Sequence, residues 1–424
     1  MKIVYYSHSP NVNTSYGIQG SMIAKFLAEA GHEVHYVDAL SNGGKPYKHE
    51  NYVIHPGWRA MKGIGKTDML PTVVNAVRPH VVISQLDIQE TNALGQYPRR
   101  FVWIGNFPYD IENVETLAVK QAARADIKVF ESLDSALRME KTGMTNVLHI
   151  PCVVDTSAYH PIEGGKETIC QKCGHVNPGI VDRCVCGEEK KIYKISLDEL
   201  RAGYGISKDD FVILFVGRPN HRKNYPTIFA TIHDLVHVQG LKNVKLLVHT
   251  SEDDPAHITD FRQWIKALNL EDNVKFTSFT MWDEGIEKAA LNSIYNLGTV
   301  YFSPHGGEGF GITQAEAMAV GLPLISTDFT SSREMIGQNE RGTCIPWTDS
   351  IETTGGVMRP IPDSSVCAMI LHTYYDDAKM REEKGKKARE FVMKHYSLDV
   401  VKRKWLELVK SCEFRHADGE LREL

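Results

Sequence analysis

Short apolar runs alternate with longer amphipathic segments along this chain of 424 residues, and this alternation limits the fold more than any other feature. Strands that alternate with helices form open parallel sheets covered by helices. The pattern occurs twice, so the sequence predicts two α/β domains, each large enough for its own core. The predicted strands are residues 3–7, 33–39, 80–85, 100–105 and 127–132 in the first half, and 211–217, 244–250, 274–279, 299–304 and 323–328 in the second.

Several function classes are disfavoured by composition and pattern. Neither half has G-x-G-x-x-G after its first strand, which argues against a dinucleotide-dependent oxidoreductase. A formal net charge of -5 gives no general attraction to nucleic acid or anionic membranes. No secretory signal and no apolar run of ~18 residues is visible, so we expect a cytoplasmic protein, with peripheral membrane attachment left open.

The helix after the first strand is predicted from the helical spacing of Ile18, Met22, Ile23, Phe26 and Leu27.

The stretch HGGEGFGITQAEAMAVGLPLIST, from His305 to Thr327, places Glu308 and Glu316 around a glycine-rich turn that leads into a helix. Backbone N–H groups at such a helix start bind anions. Two carboxylates on either side of a bound phosphate suit the hydroxyl groups of a sugar nucleotide. The alternative is a loop into a buried helix that ends at Gly321, with incidental carboxylates. Because a carboxylate among small apolar residues is costly to bury, binding is the favoured interpretation.

Two cations follow the strand FVILFVG. Arg218 and Lys223 form the pattern G-R-x4-K there. Open α/β sheets bind ligands at the carboxyl ends of their strands, and fixed cations stabilise a departing diphosphate without a metal. The alternative is a solvated basic loop. Arg222, in the same loop, is not included in the predicted site.

The motifs resemble a known enzyme family over most of the chain. E-G-F-G followed by E-A-M-A-x-G-x-P, together with MKIVYYSHSPNVNTSYGIQG, HIPCVVDTSAYHP, LFVGRPNHRKN and AREFVMKHYS in that order along the chain, is similar to the retaining GT-B glycosyltransferases of glycosyltransferase family 4. That family has I-P-x-G-V-D-x-x-x-F-x-P where this chain has IPCVVDTSAYHP. The resemblance implies an α/β GT-B fold, in which two Rossmann-like domains face each other across a cleft. It also implies sugar transfer from a UDP- or GDP-sugar to an acceptor hydroxyl, with retention of configuration and no catalytic metal.

The resemblance further implies roles for the site residues. Arg218 and Lys223 would bind the donor diphosphate. Glu316 would bind the ribose hydroxyls, and Glu308 would bind hydroxyls of the donor sugar. The phosphates would also accept hydrogen bonds from the backbone N–H groups of Phe310, Gly311 and Ile312.

The first domain offers two weaker candidates. Family members often carry a histidine after the fourth or fifth strand, and the matching loop VWIGNFPYDIEN has none. Asp110 is the candidate catalytic substitute, and the alternative is a turn or helix-cap aspartate. Gly17 would let the first loop approach the donor phosphates.

Four cysteines form a separate motif between the halves. Cys170, Cys173, Cys184 and Cys186 have the spacing C-x2-C and C-x-C, with a glycine after each pair. Such pairs form zinc knuckles, and four thiolates make a closed, structural zinc site. A disulfide interpretation is weaker because the other cysteines are scattered singly. Zinc ribbons often contact nucleic acid or protein, but the mixed charge of this one gives no support for either.

The predicted organisation is an acceptor-side domain at 1–163, a zinc-ribbon-like insertion at 164–194, a nucleotide-sugar domain at 195–385 and a helix at 386–424 that crosses back to the first domain. Family members generally lack the insertion, so the acceptor is not predicted. Two other hypotheses remain. One is a GT-B nucleotide-sugar epimerase, and the other is a non-catalytic GT-B scaffold whose ribbon is the binding module.

Overall fold

A computed structural model describes residues 1–12, 14–40, 43–57, 69–96, 99–113, 116–170, 176–178, 180–189, 192–250, 260–277, 286–353 and 357–417. The chain forms two compact units. Unit 1 contains Met1–Val153, Glu308–Phe310 and His395–Leu424, and unit 2 contains Val154–Gly307 and Gly311–Lys394. Among the described residues, no helix combines the length and the apolarity needed to cross a bilayer.

The strands are β1 (Lys2–Ser7), β2 (Glu33–Asp38), β3 (Tyr47–His49), β4 (Tyr52–Pro56), β5 (Val81–Gln85), β6 (Val102–Phe107), β7 (Ile127–Phe130), β8 (Val147–His149), β9 (Lys166–Cys170), β10 (Val176–Pro178), β11 (Ile192–Ser196), β12 (Phe211–Val216), β13 (Val244–His249), β14 (Val274–Phe276), β15 (Val300–Ser303), β16 (Leu324–Thr327), β17 (Gly342–Ile345), β18 (Asp349–Thr353) and β19 (Val357–Ile361). The α-helices are α1 (Ser15–Glu29), α2 (Leu70–Val77), α3 (Thr116–Ala122), α4 (Leu133–Lys141), α5 (Leu197–Gly203), α6 (Tyr225–His233), α7 (Phe261–Ala267), α8 (Lys288–Tyr295), α9 (Ile312–Ala319), α10 (Ser332–Ile336), α11 (Ser364–Asp376), α12 (Ala378–His395) and α13 (Leu398–Ala417). Short 3-10 helices span Ile88–Gln96, Glu163–Gly165 and His221–Lys223, and a π-helical turn spans Asp234–Val238.

Unit 1 is built on an eight-stranded sheet with the order β3-β4-β2-β1-β5-β6-β7-β8. Neighbouring strands are parallel except β3 and β4. β2, β4 and β3 lie on one side of β1, and β5 to β8 lie on the other. The order in which strands are added to the sheet therefore reverses direction between β1 and β5. The core around β1 includes Ile3, Tyr5 and Phe26 together with Trp405 of α13, each at most 2% exposed. The last helix of the chain thus completes the core of its first unit.

The buried face of α1 differs from the predicted one at a single position. Ile23, Phe26 and Leu27 are buried, but Ile18 is 37% exposed. Gln19 is buried in its place, because its side chain donates to the carbonyl oxygen of Val153 and accepts from the Val153 N–H, at 2.9 and 2.7 Å. A buried amide with both groups bonded satisfies its polar atoms, and hydrophobic spacing alone does not indicate it.

Unit 2 is built on a six-stranded sheet with the order β14-β13-β12-β15-β16-β17, in which all pairs are parallel. Strands add outward from β12 to β14, and the chain then returns to place β15 on the other side of β12. The point of reversal therefore lies between β12 and β15. Each predicted strand overlaps one observed strand, although residues 278–279 lie outside the described part of the chain.

Two smaller antiparallel sheets complete unit 2. One has the order β10-β9-β11 and contains the cysteine-rich insertion, which we call the ribbon (residues 166–196). The other pairs β18 with β19. At the end of the chain, the single helix predicted from residue 386 is instead two helices, α12 and α13, which are separated at Tyr396 and Ser397.

Candidate functional site

Two loops leave the sheet of unit 2 at the same edge, on either side of the reversal point. Residues 217–224 follow β12, and residues 304–311 follow β15. Because β12 and β15 are parallel neighbours, their carboxyl ends lie side by side. Open α/β sheets bind ligands in the crevice at such a reversal point. The predicted site residues divide between the units, with Arg218, Lys223, Gly311, Ile312 and Glu316 in unit 2 and Gly17, Asp110, Glu308 and Phe310 in unit 1.

Arg218 and Lys223 lie on the loop that follows β12. The hydroxyl of Tyr225 donates to the carbonyl oxygen of Gly217 at 2.8 Å and fixes the start of this loop. The 3-10 turn His221–Lys223 then directs the chain back to the sheet, and Lys223 is only 8% exposed. A nearly buried ammonium group is costly unless anionic or polar groups surround it. Its burial is contrary to the alternative of a solvated basic loop.

Three side chains donate hydrogen bonds to carbonyl oxygens of the glycine-rich loop. Arg222 donates to Gly307 O at 2.5 Å, and Arg359 of β19 donates to Gly306 O at 2.8 Å. The side-chain amide of Asn224 donates to Pro304 O at 2.7 Å. Arg222, which the sequence prediction left out of the site, therefore shapes the loop through backbone contacts.

A buried polar network lies beneath this loop and was missed by the sequence analysis. His305 Nδ1 accepts from the Gly307 N–H at 2.8 Å, which leaves the proton on Nε2 to donate to Ser332 Oγ at 2.7 Å. Ser332 Oγ donates to Gln314 Oε1 at 3.3 Å, and Gln314 Nε2 donates to Ser326 Oγ at 3.1 Å. His305 and Ser332 are fully buried. The network ties the loop to α9, and its residues had no signal in the sequence except their place in the glycine-rich stretch.

Gly311 is the N-cap of α9 and has φ of 89°. This left-handed conformation favours glycine. No side chain caps the helix, so the first-turn N–H groups, beginning with that of Ile312, are placed as in helix N-termini that bind anions. Ala315, Ala317 and Met318 are fully buried against the sheet.

Glu316 lies on α9 and is partly buried. Its Oε2 accepts a hydrogen bond from the Tyr295 hydroxyl at 2.7 Å, and the ring of Tyr159 packs edge-to-face on Tyr295. Burial raises the pKa of Glu316 to about 7, although both tyrosine hydroxyls lower it. The carboxyl therefore changes charge near neutral pH. Further donors to it would favour its ionised form.

Four of the predicted site residues belong to unit 1. Glu308 is 7% exposed, and the ring of Phe310 packs edge-to-face on Tyr396 at 5.0 Å. Asp110 lies in the loop that follows β6. A Cβ on Gly17 would lie 2.3 Å from Ser9 O, so the loop's own backbone requires this glycine.

Three of the four predicted zinc ligands come together in the ribbon. The sulfur atoms of Cys170, Cys184 and Cys186 all lie within 4.8 Å of one another, and those of Cys170 and Cys186 are 3.7 Å apart. A tetrahedral zinc site with Zn–S bonds of ~2.3 Å has sulfurs ~3.8 Å apart, whereas a disulfide needs ~2.05 Å. The Gly187 N–H donates to Cys184 O at 2.8 Å and closes the second knuckle. Cys173 lies outside the described residues.

Comparison with known proteins agrees with this arrangement. Residues 197–367 match the family model described as glycosyl transferases group 1. The N-acetyl-alpha-D-glucosaminyl L-malate synthase of Bacillus anthracis is 23% identical over 416 residues, which cover 91% of each chain. The sucrose-phosphate synthase of Spinacia oleracea is 25% identical over 157 residues, which cover 36% of this chain but only 15% of that protein.

Solved structures define the fold. The Anabaena HepE structure in complex with UDP-glucose is 15% identical to this chain, with a TM-score of 0.68 over 97% of this chain and 100% of that one. The protein therefore has the GT-B fold of two Rossmann-like domains. The match of residues 197–367 to the glycosyl transferases group 1 model and the similar proteins together support a glycosyltransferase.

Proposed function

We propose that this protein moves a sugar from a nucleotide-sugar donor, UDP- or GDP-linked, to an acceptor hydroxyl with retention of anomeric configuration. The observation that carries the proposal lies in unit 2, where a buried lysine and an uncapped helix start follow adjacent strands at the reversal point of the sheet. A phosphate binds well to such a pair. The UDP-glucose complex of HepE, a protein of the same fold, supports the nucleotide-sugar class.

Each site residue has a role in this proposal. Arg218 and Lys223 neutralise the diphosphate as negative charge develops on it, which replaces a catalytic metal. Glu316 binds the ribose hydroxyls, and Glu308 binds hydroxyls of the donor sugar. Asp110 is the candidate polar group near that sugar, and Gly17 keeps the first loop compact beside the phosphates. The N–H groups of Phe310, Gly311 and Ile312 donate to the phosphates.

Retention follows from an attack on the face that the leaving group departs from. The acceptor hydroxyl attacks the anomeric carbon as the bond to the β-phosphate oxygen breaks. That oxygen takes the hydroxyl proton. The reaction then needs no pair of carboxylates of the glycosidase kind, and its main requirement is stabilisation of the leaving diphosphate.

The proposal is tested first by binding. UDP, GDP and their sugar conjugates are added one at a time, and unfolding is followed by a thermal-shift assay. A ligand at ~100 times its Kd adds about 2.7 kcal/mol to the stability of the state that binds it. The donor found in this way is then incubated with candidate acceptors. NMR of the product distinguishes transfer with retention from epimerisation of the donor.

Arg218→Ala and Lys223→Ala test the diphosphate role. Each variant should lower turnover by about 10²–10³-fold, because the lost charge acts mainly in the transition state. Lys208, which is exposed on a different loop, gives the matched control Lys208→Ala, and this variant should keep wild-type turnover. Wild-type turnover in both site variants would exclude the diphosphate assignment.

The ribbon is assigned a structural zinc ion in the same proposal. Cys170, Cys173, Cys184 and Cys186 would hold it with no open position for substrate, so the metal would fold the ribbon and take no part in transfer. The sulfur atoms of Cys170 and Cys186 are 3.7 Å apart, which is too far for a disulfide and fits a reducing compartment such as the cytoplasm. The acceptor and any partner of the ribbon are not assigned.

A further inference from the structure

One segment of unit 2 connects the ribbon to the carboxyl group of Glu316. It runs from Tyr159 to Glu167 and ends on β9, the ribbon strand that carries Cys170. At one end, the ring of Tyr159 packs edge-to-face on Tyr295 with centroids 5.8 Å apart, and the Tyr295 hydroxyl donates to Glu316 Oε2 at 2.7 Å. Tyr159 therefore supports the tyrosine that is hydrogen bonded to the carboxylate.

The residue after Tyr159 is fixed from two sides. The His160 N–H donates to Asn292 Oδ1 at 3.0 Å, and the side-chain amide of Asn296 donates to His160 O at 3.0 Å. Asn292 lies on α8, which also carries Tyr295, and Asn296 follows at its C-terminal end. The imidazole contacts the ribbon through Nε2, which lies 2.9 Å from Glu167 Oε2.

The ribbon end of this contact is a buried carboxyl group. Glu167 is 3% exposed. The second carboxyl oxygen, Oε1, has no hydrogen-bond partner among the described residues. Removal of one partner of a buried hydrogen bond leaves the other unsatisfied, so the position of β9 and that of His160 depend on each other. β9 in turn belongs to a short sheet that a metal at Cys170 would order.

We infer that the segment Tyr159–Glu167 couples the ribbon to the donor site, with Tyr159, His160 and Glu167 acting as positioning residues for Glu316. A ribbon that has bound its metal would hold Glu167 against His160, and this would keep the adjacent Tyr159 ring packed on Tyr295, which donates to the ribose-binding carboxylate. The inference rests on the proposed donor site.

The experiment titrates UDP and GDP into metal-loaded full-length protein by calorimetry and measures zinc by elemental analysis. Glu167→Gln should keep its zinc and weaken nucleotide binding about fivefold or more, in the usual range for coupled sites. Tyr159→Phe should weaken binding too. It should also move the pH dependence of binding to higher pH, because the Tyr159 hydroxyl lowers the pKa of Glu316 and its loss favours the protonated carboxyl. Glu199→Gln, an exposed change on α5, is the matched control and should bind as wild type.

A double variant tests the connection itself. If Glu167 acts through Tyr159, the two losses of affinity should not add, because coupled residues are not additive. The nucleotide Kd of the Glu167→Gln/Tyr159→Phe protein should then equal that of whichever single variant has the lower affinity. Fully additive losses, or an unchanged Kd in zinc-loaded Glu167→Gln, would overturn the inference. Should Glu167→Gln fail to fold, zinc removal from the wild type by a chelator replaces it, and unchanged binding would again be contrary to coupling. Wild-type protein that binds neither nucleotide would instead refute the proposed function.

Discussion

At the scale of single residues, the site depends on groups that are distant in sequence from its motifs. The spacing of Glu308 and Glu316 indicates a nucleotide site. It does not indicate Tyr295, which donates a hydrogen bond to Glu316, or Tyr159, which packs on Tyr295. Tyr295 lies 21 positions from Glu316, and its hydroxyl reaches the carboxylate only because α8 packs near α9. The chemistry of a motif residue is therefore set by tertiary neighbours that local sequence does not specify.

Glu316→Gln should stabilise the free protein at pH 8 and weaken nucleotide binding. The folded pKa of about 7 lies above the ordinary glutamate value of 4.5, so the folded state binds more protons between these values and loses stability as pH rises through them. The glutamine has no such penalty. The gain should be at most about 3 kcal/mol, reduced by the partial exposure of the side chain, and should shrink toward pH 5. Urea unfolding at both pH values measures it.

The control for this change is an exposed glutamate of unit 2. Glu271→Gln should leave stability unchanged at both pH values, because Glu271 is exposed. A Glu316→Gln protein that is less stable than wild type at pH 8 would show that the ionised carboxylate is satisfied in the free protein.

Much of the unit 2 site could be predicted, because a glycine-rich helix start and a cation after a strand are local patterns. The network of His305, Ser332 and Gln314 could not, since polar residues in a buried cluster resemble ordinary loop and helix residues in sequence. Arg222 was left out of the site for a similar reason. Its guanidinium binds a backbone carbonyl oxygen, and a motif cannot distinguish that contact from one with a ligand.

At the scale of elements, the four ribbon cysteines predict a zinc-to-protein ratio that can be measured. One zinc ion should be present per chain in protein purified without chelator, and Cys184→Ser should lose it because a buried ligand is removed. The lost metal should raise hydrogen exchange across residues 166–189, since metal binding and folding of such a short segment are linked. Cys344→Ser, outside the ribbon, should retain the zinc. Metal-free wild-type protein, or a Cys170–Cys186 disulfide found by mass spectrometry, would exclude the site.

A close approach of two glycines packs α12 against the turn after α9. A Cβ on Gly385 would lie 2.0 Å from the carbonyl oxygen of Gly321. Gly385→Ala should therefore destabilise unit 2 by about 1–3 kcal/mol, as overpacking usually does. Gly203→Ala is the matched control, because a Cβ there has nothing within 4 Å. Urea unfolding should separate the two, and equal stability of both variants would mean that α12 moves freely to accept the methyl group.

Elements with strong apolar runs could be predicted from sequence, whereas short or polar ones could not. β8 has three residues, and β17 has the sequence GTCI. Both are strands because a neighbouring strand, β7 or β16, offers a free edge for pairing. That edge exists only in the assembled sheet, so neither strand has a signal of its own.

At the scale of the whole molecule, each compact unit is built from segments that are not contiguous in the sequence. Residues from His395 onward belong to unit 1, although the residues just before them belong to unit 2. Val401 and Trp405 of α13 are buried with Ile3 and Tyr5 of β1. α13 and β1 therefore share one core, although they are far apart in sequence.

Trp405→Ala should destabilise unit 1 selectively. Trp405 is 1% exposed, and loss of a buried tryptophan costs about 3–5 kcal/mol. Hydrogen exchange followed by mass spectrometry should show faster exchange in β1, β5 and α1, with β12 unchanged. Lys410→Ala, an exposed change on the same helix, should exchange as wild type in both units. Equal acceleration of β1 and β12 in the Trp405 variant would mean that the units unfold as one, because two independent cores would respond separately.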